Sequence, residues 1–251
     1  MDSGTIILHA AVFIAALLQA ATGLGFGLLA GPVILLILNS GSAIQISLML
    51  SLLIALVLSP SLTLDIDRAL LKRVMLGSLA GFPLGIFVFQ AIDTDMLKLL
   101  AGAAVFYMVL TVTGAIRIPA SRDGAGGARD LGAGVLSGLM STSIAMPGPA
   151  VAARMATLAH PKAAIRATVL MTLVLSNIAA ILFQAALVGV AEETLVLTAW
   201  LAPATLAGVV LGRLIIGWFS ERGFRVVLSL LLGATSLSLI ANAVAGMLGY
   251  V

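Results

Sequence analysis

Apolar residues run through this chain in long blocks separated by short polar stretches. The blocks 43–60, 74–91, 97–116, 164–190, 195–218 and 226–249 are each long and apolar enough to cross a hydrocarbon layer of ~30 Å as a helix. Two regions depart from that pattern. Residues 5–22 and 25–38 are a pair of apolar segments broken by Thr22-Gly23-Leu24-Gly25-Phe26-Gly27. Residues 131–141 and 149–159 are a second pair, broken by Ser141-Thr142-Ser143-Ile144-Ala145-Met146-Pro147-Gly148-Pro149. The second member of each pair is short, about 21 Å for 25–38 and about 16 Å for 149–159 at a helical rise of ~1.5 Å per residue. Each pair therefore reads as a helical hairpin with its Gly/Pro/Ser tip inside the membrane.

The order of elements is duplicated. Leu79-Ala80-Gly81-Phe82-Pro83-Leu84-Gly85 returns as Leu206-Ala207-Gly208-Val209-Val210-Leu211-Gly212. Gly31-Pro32 is matched with Gly148-Pro149, and Leu100-Ala101-Gly102-Ala103 with Leu231-Leu232-Gly233-Ala234. Each half is a broken hairpin followed by three spanning helices. A hairpin returns to its own side and three crossings do not, so the second copy is expected to be inverted. The fold expected is an all-α polytopic membrane protein of two inverted-topology repeats, 1–116 and 131–251, joined by a polar cytoplasmic linker, 117–130.

Charge gives an independent check. The alternating topology collects Arg68, Lys72, Arg73, Arg117, Arg122, Arg129, Arg154, Lys162, Arg166, Arg213, Arg222 and Arg225 on one side and leaves Lys98 on the other, with Asp2, Asp93, Asp95, Glu192 and Glu193. Basic loops stay in the cytoplasm, so both termini are expected outside.

Composition narrows the class. With 61% hydrophobic and 9% charged residues and a mean hydropathy of +1.22, the chain cannot build a water-soluble surface. Its 26 glycines suit helices that pack closely in lipid. A pI near 9.8 reflects a net charge of only +3 and does not imply nucleic-acid binding. The absence of cysteine excludes disulfides, thiol chemistry and cysteine-ligated metals, and no cofactor is expected. No Lys or Arg precedes the first apolar run, so that run is expected to be a retained helix and not a cleaved leader.

Inverted repeats with interrupted helices are a recurrent plan of secondary transporters, whose substrates sit where the helices break. After each break a half-helix begins, and its first N–H groups lack intrahelical partners and carry the positive end of the dipole. That is a site for an anion. The candidates are Thr22, Gly23, Gly25 and Gly27 at the first tip, and Ser141, Thr142, Ser143 and Gly148 at the second. Arg154 on the short half-helix either neutralises the anion or snorkels to the headgroups. Asn177 is a candidate lining residue, as are Gln19, Gln45 and Gln184; polar residues in such helices also bond simply to a neighbouring helix. Arg213 reads as a snorkelling anchor and His9 as an interface residue. Single glycines and prolines are more often packing or kink residues, and the stripes Gly77-Gly81-Gly85 and Ala204-Gly208-Gly212 read first as packing seams. No acidic residue falls deep in a span, which favours transport driven by membrane potential over a carboxylate relay.

The run Ala20-Ala21-Thr22-Gly23-Leu24-Gly25-Phe26-Gly27-Leu28-Leu29-Ala30-Gly31-Pro32, echoed by Leu136-Ser137-Gly138-Leu139 through Gly148-Pro149, resembles the sulfite exporter TauE/SafE family over essentially the whole chain. The resemblance implies movement of small sulfur-containing anions, sulfite or organosulfonates, across a bacterial inner membrane. Export is the leading expectation. The alternatives are an importer, a carrier of another small anion, or a non-transporting membrane assembly protein. An intramembrane enzyme fits poorly, because neither histidine sits in a hydrolase-like motif and no acid lies beside the serine cluster. The partners expected are a small anionic substrate and membrane lipid, with no nucleic acid; a homo-oligomer is compatible with this reading.

Overall fold

A computed structural model describes residues 3–22, 26–59, 65–116, 126–158, 160–215 and 221–249. Among these residues the chain forms ten helices and no strands: α1 (Ser3–Thr22), α2 (Phe26–Leu38), α3 (Ser42–Leu58), α4 (Arg68–Ala91), α5 (Thr94–Val112), α6 (Gly127–Ile144), α7 (Gly148–Thr157), α8 (Lys162–Leu187), α9 (Glu192–Ile215) and α10 (Glu221–Met247). Five are long and apolar enough to span a membrane: 68–91, 94–112, 163–187, 192–214 and 226–247. Large apolar side chains cover the outside, with Phe87 70% and Trp200 65% exposed. Water would not tolerate such a belt; lipid requires it. The chain is a multi-pass membrane protein.

Helix ends shift from the apolar blocks for local reasons. α4 begins at Arg68 and not at 74, because the Asp67 carboxylate accepts from the Leu70 amide at 2.9 Å and caps the helix. Arg68, Lys72 and Arg73 thus lie in the first turns of a helix, not in a loop. Asp93 caps α5 in the same way, accepting from the Met96 amide at 2.8 Å. α6 starts at Gly127, so residues 127–130 of the expected linker are its first turn; 117–125 lie outside the described residues. α3, with 17 residues, reaches about 26 Å, short of a full crossing.

Gly148-Pro149 opens α7, whereas Gly31-Pro32 lies buried inside α2. A proline at the start of a helix loses no hydrogen bond, while one inside must be accommodated by its neighbours. The two Gly-Pro pairs are therefore not at equivalent places; Phe26-Gly27 occupies the start of the first half-helix.

The most extensive packing joins α4 to α6 and α1 to α9. A Cβ on Gly81 would collide with the Val135 carbonyl oxygen and lie 3.0 Å from the Gly138 Cα, so only glycine lets these backbones touch. On the other seam Gly208 meets the Phe13 carbonyl and the Ala16 methyl. Gly208 and Gly212 stand to Phe13 and Leu17 as Gly81 and Gly85 stand to Val135 and Leu139. α5 packs on α10, and α3 on α8.

Candidate functional site

The tip of the second hairpin is tightly determined. α6 ends at Ala145, in the left-handed region at φ 57°, and the amides of Ala145 and Met146 bond back to the Ser141 and Met140 carbonyls, each at 3.1 Å. Alanine in that conformation stores strain of about 1–2 kcal/mol. The surrounding bonds hold it: Ser137 Oγ donates to the Pro147 carbonyl at 2.9 Å, and Gln184 Nε2 to the Thr142 carbonyl at 2.9 Å. After this turn α7 begins with Gly148-Pro149.

The first hairpin arrives against that turn. A Cβ on Gly27 would sit 2.6 Å from the Ala145 carbonyl oxygen, so Gly27 is the contact by which the two tips meet. Between them lies a cavity of ≈ 20 Å³ bordered by Gln19, Gly27, Ser51, Met146, Gly148 and Leu173. Leu173 is near the middle of α8, which places the cavity at the centre of the bundle. Space of this size admits about one water molecule.

One buried amide, Gln19, borders this cavity, and a second, Asn177, lies behind it and reaches it only through Ser51. Gln19, 1% exposed, accepts from the Phe26 amide at 3.0 Å through Oε1 and so caps α2, but its Nε2 has no partner. Asn177, fully buried, donates to Ser51 Oγ at 3.0 Å and leaves its Oδ1 unpartnered. A buried donor left unmade costs about 1–3 kcal/mol. α7 starts at the same cavity, where Gly148 supplies a helix-start N–H without an intrahelical acceptor and Pro147 and Pro149 supply none.

The other residues named from the pattern have different surroundings. Ser141 donates to the Ser176 carbonyl at 3.3 Å, Thr142 to the Phe82 and Gly138 carbonyls at 2.9 and 3.2 Å, and Ser143 to the Leu139 carbonyl at 2.7 Å. Their hydroxyl protons are committed to backbone, and none of the three borders the cavity. Gln45 and Gln184 bond to each other at 3.3 Å, and Gln45 also to the Gly189 carbonyl at 2.8 Å; both tie helices together. The backbone of Thr22 ends α1; Gly23 and Gly25 lie outside the described residues.

Arg154 is neither at the cavity nor reaching for headgroups. It is 7% exposed and its Nε bonds Asp130 Oδ1 at 2.7 Å, while Arg73 reaches Asp130 Oδ2 at 3.0 Å. Asp130, fully buried, is thus shared by two arginines that bind α4 and α7 to the base of α6. The pattern of charges put Asp130 beside a loop and gave no reason to bury it, since Asp65, Asp67, Asp123 and Glu221 fall among the same basic residues. Ser51 was missed because one serine in an apolar run carries no periodic mark. Arg213 donates to the Val57 carbonyl at 2.6 Å. His9 bonds the Thr5 carbonyl at 2.8 Å and borders an outer groove with Trp200. Among the described residues no cluster of three or more His, Asp or Glu is placed to hold a metal.

A lipid-clad helical bundle with two broken hairpins meeting at a central polar cavity belongs to the class of multi-pass membrane transport proteins. Residues 8–239 match the model of the family described as sulfite exporter TauE/SafE, and the chain belongs to that family. It is a family of membrane transporters, not of enzymes. No curated protein and no solved structure matches the chain.

Proposed function

We propose that this chain is a secondary transporter that exports small sulfur-containing anions, sulfite or organosulfonates, across a bacterial inner membrane, with both termini outside. In this reading 1–116 and 131–251 are inverted repeats joined by a cytoplasmic linker, 117–130. The matched registers of the α4/α6 and α1/α9 seams support that relation, because exchanging the halves exchanges the seams.

The observation that carries the proposal is the meeting of both tips around the unpartnered Gln19 Nε2 and the N-terminal end of α7. Donors with no acceptor, facing the positive end of a half-helix, suit an anion. In the site proposed, Gly27 and Gly148 give backbone approach, Gln19 and Ser51 give side-chain donors, and Asn177 orients Ser51. The Ser141, Thr142 and Ser143 hydroxyls hold the tip that presents that helix end, and Arg154 holds its base. A cavity of ≈ 20 Å³ is too small for a sulfur oxyanion. The conformation is therefore closed, and the tips must separate to admit substrate.

Among the described residues that border the central cavity there is no carboxylate, which favours drive by membrane potential. Expelling one negative charge from a negative interior gains about 2.3 kcal/mol per 100 mV. The test is sulfite flux from liposomes at clamped voltage, with wild type and Gln19→Leu. Voltage-dependent flux in wild type and a loss of at least about tenfold in the variant, or ~1.4 kcal/mol, are expected. Flux that follows a pH gradient and ignores voltage defeats the driving-force proposal, and unchanged flux in Gln19→Leu defeats the site.

A further inference from the structure

Two arginines at one end of the bundle share a feature that helix capping does not account for. Arg166 lies in the first turns of α8 and donates through Nη2 to the Ala20 carbonyl at 2.7 Å, at the end of α1. Arg213, in the last turn of α9, donates through Nη2 to the Val57 carbonyl at 2.6 Å, at the end of α3. The negative end of a helix dipole explains one such bond on each. It does not explain why Arg166 Nε is buried with no partner. Nor does it explain why both arginines converge on Ala20, whose carbonyl Arg166 bonds and whose methyl lies 2.9 Å from where a Cβ on Gly212, the residue before Arg213, would sit.

Elsewhere this chain neutralises its enclosed cations. Arg154 and Arg73 share Asp130, and Lys98 bonds Asp95 at 2.9 Å and Asn242 at 2.7 Å. Among the described residues, neither Arg166 nor Arg213 has a carboxylate in an ion pair. Asp67 comes near through its amide, which donates to Thr168 Oγ1 at 3.0 Å, but its carboxylate is taken by the Leu70 amide and by His160 Nε2 at 3.3 Å. Arg166 is partly buried and Arg213 exposed. Two neighbouring cations with a buried, unpartnered N–H and, among the described residues, no carboxylate paired to either are short of an anion.

We propose that Arg166 and Arg213 form an oxyanion-binding site separate from the central cavity, which takes a sulfite, sulfonate or phosphate group. The Nε–H edge of Arg166 is the unfilled half of a planar fork that matches two oxygens of such a group. The site lies seven residues, about 10 Å along α8, from Leu173 at the cavity. Binding at this site does not depend on the transport reading. On that reading it faces the cytoplasm and collects the anion before the tips admit it.

The experiment uses the full chain purified in detergent. Radiolabelled sulfite is titrated by equilibrium dialysis, and co-purified phospholipid is measured by native mass spectrometry, on wild type, R166Q/R213Q and Gln19→Leu. The expected result is a sulfite site that is weakened at least tenfold in the arginine variant and retained in Gln19→Leu, so that failure of either site reads out separately. Loss of a bound phospholipid with sulfite binding intact also supports the site and identifies its ligand as a lipid phosphate. A folded R166Q/R213Q chain that keeps both its sulfite stoichiometry and its lipid overturns the proposal. If that variant does not fold, Arg166→Lys keeps the charge and removes the fork; unchanged affinity for both ligands in it overturns the proposal equally.

Discussion

The two broken hairpins meet at one cavity but are held by different means. The second, α6–α7, is fastened at every level: Asp130 ties its base to Arg73 and Arg154, glycines on both helices bring it against α4, and hydroxyl–carbonyl bonds fix its tip. The first, α1–α2, has no Asp, Glu, Lys or Arg between residues 3 and 38. Its seam sets glycine against alanine, and two long side chains hold its end, Gln19 to Phe26 and Arg166 to Ala20. Both hairpins make close backbone contact along a glycine seam. The second adds a buried charge network at its base, while the end of the first is held by bonds that a rotamer change can release. On the transport reading proposed above, this difference in anchoring makes the second hairpin the fixed wall and the first the movable one.

Four substitutions test that contrast. Asp130→Ala leaves Arg154 buried without its partner and should cost about 3–5 kcal/mol, read as a large fall in the apparent melting temperature in detergent. Adding Arg154→Met should recover most of the loss; no recovery would mean the base is held by something other than this pair. Gly81→Ala should be the next most damaging, about 3 kcal/mol, because the new methyl meets backbone on a seam with glycine on both sides. Gly208→Ala on the first hairpin's seam also drives a methyl into backbone, the Phe13 carbonyl, and should cost about as much. A much smaller loss at Gly208 would mean that the first hairpin's seam yields where the second's does not.

Alanine at Ser141, Thr142 and Ser143 together should lower stability by roughly 0.5–1.5 kcal/mol per hydroxyl, yet leave the thermal shift produced by sulfite in place. A triple variant that melts normally and loses the sulfite shift would return those hydroxyls to the binding site. The smallest effect is expected at Gly132 on α6, where a Cβ meets nothing within 4 Å; Gly132→Ala should be neutral or stabilising by up to about 1 kcal/mol in a denaturant titration.

The helices are largely legible in the run of apolar residues, because a block long enough to span lipid has no other stable use. The breaks are legible for the same reason: Gly and Pro runs inside such blocks interrupt hydrogen bonding where no water can replace it. Boundaries shift where a single polar side chain intervenes, as with the Asp67 cap that lengthens α4. The likeness between the halves holds in the seam contacts of Gly81 and Gly208 but not at Gly31-Pro32, since a proline inside a helix and one that opens it look alike as letters.

The site is legible as a place and not as a set of atoms. Gln19 and Asn177 are two of several polar residues in apolar runs, with nothing in the pattern to distinguish them from Gln45 and Gln184. What separates them is who else is present. Asn177 finds Ser51 from a helix 126 residues away, Gln45 finds Gln184 across 139, and Gln19 is left with one donor unfilled.

Composition and periodicity by themselves determined that this chain lives in a membrane as a helical bundle with two interrupted hairpins. Those are consequences of solvent, and every residue contributes to them independently. Only the tertiary structure decided which hydroxyls are spent on carbonyls, which arginines are paired, and which donors remain open. Satisfaction of a buried polar group depends on atoms far away in the chain, and no local pattern records it.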